Sequence, residues 1–448
     1  MRIFALLFGC FVLSLNVLGQ VRVAPLDIVE RTLDNGMKIV SVRDTTNPSV
    51  SVRVWYRVGG KDDPPGRSGF AHMFEHMMFK ATKNMPDETF DRLTEDVGGY
   101  NNASTWPDYT NYFQVVPSNH LERILWAESD RMVNLNVTEK SFVSERDVVK
   151  EEFRQGVLAP PYGRFYWLMD ERSFLKHPYR RGVIGNLEEL SSATREDAEK
   201  FYRTYYRPDN AVLIVVGDFD QKQLDTWVDK YFGPIPKPSE DIPRVSIDEP
   251  EWTEERRYNE TGPRVPFPAI AIIYRSPKTT SEDIAALRLA GSILSGGASS
   301  RLSQSIVRGQ QIAQQAWFDM TLNADGGRMG FVAISSEKGS PESLERAWLS
   351  VLTKIQSDGV TSRELEKAKN GYLAGAVQMR ETNDGKASLI ERAITYRGDA
   401  GAVNRELDEI QAVTVDDIKR VMNRYFTPKN RVVLVYSQET KSIEGAKK

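Results

Sequence analysis

The chain has 448 residues, of which 40% are hydrophobic and 27% are charged, and its formal net charge is −3. One ordinary core cannot organise a chain of this length, so we expect at least two domains. The nearly balanced charge gives no basis for a nucleic-acid partner or for attraction to an anionic membrane, and we expect neither.

The first 19 residues differ from the rest of the chain. Arg2 precedes an apolar run without acids, which closes on small residues at Gly19. This pattern is typical of a secretory signal peptide, and the run is too short for a stable membrane span. We therefore expect export, to the periplasm or outside the cell. The only cysteine, Cys10, lies here, so lipid anchoring is the alternative to cleavage and the mature chain has no disulfide.

Two strand signals come next along the chain. Residues 29–42 place Asp34-Asn35-Gly36 between two apolar runs, which predicts a hairpin with a type I′ turn. Residues 49–58 alternate apolar and polar side chains, which predicts a half-buried strand.

Residues 67–79 predict a helix that carries two histidines on one face. Its large apolar residues recur at helical spacing, which places them together on the face opposite the histidines. His72 and His76 lie one turn apart, so both imidazoles can reach one point, as ligands of zinc do. Glu75 stands between them in the order H-x-x-E-H, where its carboxylate can reach a water on the metal. The alternative is two histidines that share a face by chance.

Strands and helices alternate beyond this point. Residues 111–116 predict a strand, and residues 119–132 and 139–155 predict helices. Together with the hairpin, this alternation predicts α+β layers. The apolar positions of the helix over 139–155 are Phe142, Val148, Val149 and Phe153.

Two histidines leave a zinc site incomplete, because a catalytic zinc commonly has three protein ligands and a water. In the helix over 139–155, Glu145 and Glu152 are two turns apart on one face, whereas Glu151 points elsewhere. From the residues alone, all three also fit a solvated charged face. The other two histidines, His120 and His177, lie near prolines and are expected to be structural.

The chain contains an internal repeat. Residues 190–217 align without a gap on residues 410–437, and residues 52–58 resemble residues 270–276. The helix predicted after the second copy, over 284–295, has no histidine. We therefore predict a duplicated domain whose second copy lacks a metal site. The predicted boundaries are 1–19 for the signal peptide, 20–240 for the zinc-binding domain, 241–260 for a linker and 261–448 for the second domain.

Several motifs together resemble one family. The stretch His72-x-x-Glu75-His76, followed by the acidic helix over 139–155, is similar to the pitrilysin family of inverzincin metallopeptidases. That family includes insulin-degrading enzyme and the mitochondrial processing peptidase. The resemblance covers nearly the whole mature chain, and its further motifs lie at 101–112, 128–132, 177–185 and 206–210.

The resemblance implies two pitrilysin-type α/β sandwich domains and one zinc ion per chain. It implies that His72, His76 and Glu152 bind the zinc and that Glu145 supports the site from behind the ligands. It also implies that Glu75 is the general base for the zinc-bound water that attacks a peptide carbonyl.

The resemblance also implies where a peptide binds. Asn102 and Ala103 match the strand edge along which the family lays its substrate. Relatives often hold the substrate carbonyl with an Arg and a Tyr of the second domain. Here the Tyr position is Gln314, and the Arg position falls on or near Val307 or Arg308.

Small bacterial members of the family can divide the zinc site and the Arg/Tyr pair between two subunits. We therefore expect a heterodimer with a homologous subunit that carries the pair, or a homodimer. The expected function is zinc-dependent endopeptidase activity on extended peptides or unfolded segments. The alternatives are a non-catalytic peptide-binding or structural subunit of a related two-chain complex and, with less support, an amidase that acts on small amides.

Overall fold

The computed structural model describes residues 23–439 of the chain. The predicted signal peptide and Cys10 lie outside these residues. Among the helices that are described, none combines the length and the apolar character that crossing a membrane requires.

The strands of the described residues form two β-sheets. In chain order they are β1 Val29–Thr32, β2 Lys38–Arg43, β3 Ser49–Tyr56, β4 Tyr100–Thr105, β5 Thr110–Pro117, β6 Ala211–Gly217, β7 Arg256–Gly262, β8 Ala269–Arg275, β9 Ala313–Thr321, β10 Arg328–Ser335 and β11 Val432–Gln438.

Helices connect and cover these strands. They are α1 Phe70–Met77, α2 Thr89–Glu95, α3 Leu121–Asn134, α4 Glu139–Phe153, α5 Gly163–Ser173, α6 Leu187–Ser191, α7 Arg195–Tyr205, α8 Gln221–Tyr231, α9 Ile284–Ser295, α10 Pro341–Asp358, α11 Ser362–Arg380, α12 Asn383–Arg397, α13 Ala402–Ala412 and α14 Val415–Tyr425. Two short π-helical turns occur as well, at Arg154–Leu158 and Ser303–Gly309.

The two sheets share one plan. The first has the strand order β1-β2-β6-β3-β5-β4 and the second has β7-β11-β8-β10-β9. Neighbouring strands are antiparallel, except that β2 with β6 and β7 with β11 are parallel. Helices pack their apolar residues on one face of each sheet and form two separate cores. The predicted α+β class is therefore confirmed.

The internal repeat reappears as matching structure. Helix α7 leads to strand β6 in the first half, as α14 leads to β11 in the second. Both helices begin with the same reciprocal capping pair, Thr194 with Asp197 and Thr414 with Asp417. Helix α9 follows β8 as α1 follows β3, but it contains no histidine.

Each half also covers the sheet of the other half. Helix α12 packs on β3 and β6, where Ile390 joins a buried cluster with Ile214. Helix α5 packs on β8 and β11, where Phe165 joins a cluster with Leu434. Burial of both faces explains why β6, β8 and most of β11 are nearly continuous apolar runs.

The proposed linker connects these two halves. Residues 241–255 form neither helix nor strand. Strand β7 begins at Arg256 because its backbone pairs with β11, so the last five residues of the proposed linker belong to the second sheet. The boundaries at 20–240 and 261–448 otherwise remain our proposal.

Three predictions of local structure are wrong. Strand β3 is buried on both faces rather than half-buried, because α12 covers its second face. The turn between β1 and β2 is not type I′, because neither Asp34 nor Asn35 has a positive φ and only Gly36 does, at +90°. The Asn35 amide instead donates to two backbone carbonyls just after α8, which holds a longer loop in place. Val148 is 40% exposed on α4 and is not part of the core.

A buried ion network joins α12 to the first sheet. Arg53 on β3 donates to Glu391 at 2.8 Å and to Asp384 at 2.7 Å. Asn111 on β5 donates to the second carboxylate oxygen of Glu391 at 2.7 Å. Arg53 and Glu391 are only 4% and 3% exposed, so each charge depends on the other for its stability in the interior.

Replacing Arg53 with Met should destabilise the protein strongly, because Glu391 would remain buried without its cation. We expect a loss of about 3–5 kcal/mol, seen as a lower thermal unfolding midpoint. Arg31→Met is the control: it removes partly exposed ion pairs with Asp225 and Asp229, and we expect a loss below about 1 kcal/mol. Equal shifts in the two variants would contradict this account of the network.

Candidate metal centre

Helix α1 presents both histidines because its opposite face is buried. Its apolar residues are fully enclosed in the first core. Asp63 fixes the first turn by accepting the backbone N–H groups of Gly69 and Ala71, at 2.7 and 2.8 Å. His72 and His76 then lie on the side away from the core, and both are partly exposed.

Helix α4 brings a carboxylate to this pair. Oε2 of Glu152 lies 3.7 Å from Nε2 of His72 and 3.6 Å from Nε2 of His76. The imidazole planes are nearly perpendicular, at 85°, with their centroids 4.9 Å apart. Among residues 23–439, these three side chains are the one set whose donor atoms all lie within 4.8 Å of one another. Two imidazoles and one carboxylate form a donor set that fits zinc.

Glu145 lies behind His76. Its Oε2 is 3.5 Å from Nδ1 of His76, and its Oε1 is 2.8 Å from Nζ of Lys80. Burial opposes the charge of Glu145, but the hydrogen bonds with His76 and Lys80 outweigh burial and lower its pKa. A charged carboxylate at this position is placed to fix the ring orientation and tautomer of His76. The sequence did not predict the contribution of Lys80, which depends on where α1 ends.

The two imidazoles have different surroundings. Burial and the neighbouring ring of His76 lower the pKa of His72 to about 4. Burial also disfavours charge on His76, but the carboxylates of Glu145, Glu152 and Glu75 raise its pKa overall. The neutral form of His72 is the form that can donate a lone pair to a cation.

Glu75 projects beside the histidines and is held by the neighbouring strand. The hydroxyl of Thr105, at the end of β4, donates to Oε2 of Glu75 at 2.5 Å. Burial raises the pKa of Glu75, whereas this hydrogen bond and the proximity of His76 act in the opposite direction. Sequence reasoning missed Thr105, although its place two residues after Ala103 puts it on the same face of the strand.

Strand β4 is the last strand of the first sheet and pairs only with β5 in the described residues. The N–H of Trp106 donates to the carbonyl of Tyr109 at 2.8 Å, so alternation along the ladder directs the backbone of Ala103 away from β5. The N–H of Ala103 is capped instead by Oδ1 of Asn102, at 2.8 Å. Asn102 and Ala103 therefore lie on an open sheet edge, on the strand that also contacts Glu75.

The other two histidines lie outside the three-residue set. His177 is buried, accepts the N–H of Tyr179 at 3.3 Å and faces Asp325 at 3.6 Å. His120 contacts the side chain of Asn119. The burial of His177 agrees with the structural role expected of it, whereas that role stays a prediction for His120.

The residues of the second half considered for binding the substrate carbonyl have different surroundings, and a further arginine, Arg301, lies just before them in the chain. Arg301 is engaged by Glu364 through two hydrogen bonds, at 2.7 and 2.9 Å. Val307 and Arg308 lie in the second π-helical turn, where Arg308 is exposed. Gln314 is exposed on β9, an edge strand of the second sheet.

Two family descriptions match the chain. Residues 38–160 match "Insulinase (Peptidase family M16)", and residues 192–372 match "Peptidase M16 inactive domain". A zinc protease of Helicobacter pylori, PqqE, is 30% identical over 397 residues, which cover 88% of this chain and 89% of that protein. The chain belongs to peptidase family M16. The resemblance to the pitrilysin family is thereby confirmed.

Other proteins are similar over a comparable share of the chain. The mitochondrial-processing peptidase subunit beta of Lentinula edodes is 24% identical, over 93% of this chain and 90% of that protein. The crystal structure of a protease from Helicobacter pylori has a TM-score of 0.88 at 29% identity, over 92% of this chain and 99% of that one. The first half of the periplasmic protease PqqL of Escherichia coli shares the fold, with a TM-score of 0.74 at 18% identity, over 93% of both chains.

We predict that Glu152→Gln loses most of the zinc that the wild-type protein binds, because two remaining ligands hold the ion at least about 100-fold more weakly. The matched control is Glu151→Gln. Its side chain bonds Arg154 and Gln155, each at 3.1 Å, on another face of the helix. Elemental analysis after gel filtration should find about one zinc per chain in the control. Loss of zinc from Glu151→Gln but not from Glu152→Gln would make the assignment wrong.

Proposed function

We propose that this chain is a zinc-dependent endopeptidase that hydrolyses extended peptides or unfolded segments. The observation that carries the proposal is the convergence of the donor atoms of His72, His76 and Glu152 within 4.8 Å. Glu75 stands beside them, next to an open strand edge. The name zinc protease, given to the Helicobacter pylori relative, supports the same function.

In this proposal His72, His76 and Glu152 hold the zinc, and Glu145 orients His76. When bound, zinc supplies an electrophile for the peptide carbonyl and lowers the pKa of a coordinated water. Glu75 accepts the proton of the attacking water and returns it to the leaving amine. The hydrogen bond from Thr105 occupies one carboxylate oxygen of Glu75 and restricts its rotamer, which leaves the other oxygen to accept the proton.

Strand β4 binds the substrate in this proposal. A peptide that adds to the open edge hydrogen-bonds to the backbone of Ala103 and displaces the side chain of Asn102 from the N–H group. Main-chain bonding of this kind gives affinity without regard to sequence, and pockets for side chains then set specificity. The capping by Asn102 also protects the edge from unwanted strand pairing in the free protein.

Glu75→Gln should retain zinc and the native fold but lose peptide hydrolysis, because an amide cannot accept the proton. General-base catalysis commonly contributes about 10²–10⁴-fold, so we expect turnover to fall by at least about 100-fold. Thermal unfolding and zinc content, measured on the same preparation, control for damage to the site. Turnover close to that of the wild type would exclude Glu75 as the base.

We further propose that the chain works with a homologous subunit. In the second half, Arg301 is bonded to Glu364, and Gln314 occupies the place of the expected tyrosine. The match of residues 192–372 to a domain described as inactive agrees with a second half that contributes structure rather than metal chemistry. The same asymmetry is the basis of the second candidate, a non-catalytic peptide-binding subunit. The complete metal-binding set favours the peptidase.

We also propose export. The charged start, apolar run and small residues of the first 19 positions support cleavage of a signal peptide and release into the periplasm. The fold shared with a periplasmic protease of Escherichia coli agrees with this location.

The lone chain should hydrolyse peptides much more slowly than the chain reconstituted with a subunit that carries the Arg/Tyr pair. Loss of one oxyanion donor commonly costs about 10²–10³-fold in rate, and a homodimer cannot restore a group that both copies lack. Peptide turnover with and without the partner measures this. Full activity of the lone chain that is abolished by Arg308→Ala would show instead that Arg308 supplies the contact.

A further inference from the structure

Strand β4 carries exposed aromatic rings beside the candidate site. Tyr100 begins the strand and Trp106 directly follows it, and their exposed fractions are 48% and 47%. Side chains alternate between the two faces of a strand. Since Thr105 faces Glu75, Trp106 lies on the opposite face, where its indole N–H meets Ser104. Trp106 is thus adjacent in the chain to the residue that holds the proposed base.

The ring of Trp106 has two contacts with the protein. Its Nε1 donates to Oγ of Ser104 at 3.0 Å. Its plane lies 17° from that of Tyr109, with the centroids 6.3 Å apart, and the buried Tyr109 packs in turn on Trp55 at 6.1 Å. One side of the indole therefore contacts the protein while nearly half of the side chain stays in solvent. A ring fixed in this way loses little conformational entropy when a ligand packs on it.

The support continues into the interior. Oγ of Ser104 donates to Oδ1 of Asn111 at 2.6 Å, and Nδ2 of Asn111 donates to the buried Glu391. Glu391 is paired with Arg53. A continuous hydrogen-bonded path therefore connects the indole of Trp106 to helix α12.

We propose that Trp106 determines specificity by packing against a large apolar or aromatic side chain of the peptide, within two residues of the bond that is cut. This inference rests on the proposed function and names the class of substrate that it favours. A peptide on the edge of β4 places side chains directly opposite those of β4 or diagonal to them, within reach of an aromatic ring. Because Thr105 touches Glu75, the cut occurs near this end of the strand.

The surroundings of the ring favour an apolar partner over a charged one. The nearest acid along the chain, Asp108, is already bonded to Lys61 at 2.8 Å and to the hydroxyl of Tyr179 at 2.5 Å. It therefore has no free charge to attract a basic residue of the substrate. What Trp106 offers is a supported π surface, which aromatic and large aliphatic side chains match.

The test uses quenched fluorescent peptides in which one position at a time is Phe, Leu or Gly. The positions varied are the two residues before the cleaved bond and the two residues after it. Mass spectrometry of the products identifies that bond. The full chain, with its partner where turnover requires one, is compared as wild type, Trp106→Ala and Trp106→Phe. The matched control is Tyr166→Ala, which removes another exposed aromatic ring, 45% exposed on α5. Binding of the same peptides is measured separately by fluorescence anisotropy in the Glu75→Gln background.

For one of these positions, Trp106→Ala should lower the ratio of kcat/KM between the Phe and Gly peptides by roughly three- to tenfold. Trp106→Phe should restore most of the preference, and Tyr166→Ala should keep the wild-type ratio. The binding ratios should change in parallel. If no chain cleaves any peptide but the binding preference disappears in Trp106→Ala, the peptidase proposal fails while the role of Trp106 in recognition stands. Wild-type ratios for Trp106→Ala in both turnover and binding would overturn the inference.

Discussion

The site depends on the packing of helix α1 against helix α4, because these two helices supply all three proposed ligands. The apolar face of α1 and the buried Val149 of α4 belong to one core, in which neither helix can rotate without opening a cavity. Glu145 lies one turn before Val149 and Glu152 lies one turn after it, on the same side of α4. Because Val149 is directed into the core, both carboxylates face the histidines. The packing of Val149 thus positions Glu152 against both imidazoles and Glu145 behind His76. Well-packed helices can hold such groups within the small tolerance that a metal site requires.

The second half of the chain has no metal-binding set among its described residues, yet it affects the geometry of the first. Helix α12 covers the first sheet and places Glu391 against Arg53 and Asn111. Asn111 lies on β5, the strand that pairs with β4, and β4 supplies both the contact to Glu75 and the open edge. Strand β4 is therefore supported, through β5, by a helix from the other half. This gives a physical reason why a half without metal chemistry is part of the same chain.

Local features of the fold could be predicted from the sequence. The period of apolar residues indicates α1, β3 and α9, and the repeat indicates the matching second half. Features that arise from distant contacts could not be predicted. Val148 satisfies the helical pattern of α4 but faces solvent, since pattern alone does not say how wide the buried stripe is. The turn at Asn35 depends on carbonyls near the end of α8. Nothing in the local sequence indicates that α5 packs on the second sheet and α12 on the first.

At the site, helical spacing places His72 and His76 together, but it cannot rank Glu145 against Glu152. Only the position of α4 relative to α1 separates them, with Glu152 near both Nε2 atoms and Glu145 near Nδ1 of His76.

The most direct test of this account is X-ray absorption spectroscopy at the zinc edge of the purified, zinc-loaded protein. The account predicts a four-coordinate zinc with two imidazole nitrogens at about 2.0–2.1 Å and oxygen ligands from one carboxylate and one water. Glu152→Gln should remove this spectrum, whereas Glu145→Gln should leave the set of ligand atoms unchanged. A zinc shell with three or more imidazoles, or an intact shell in Glu152→Gln, would contradict a centre built from His72, His76 and Glu152.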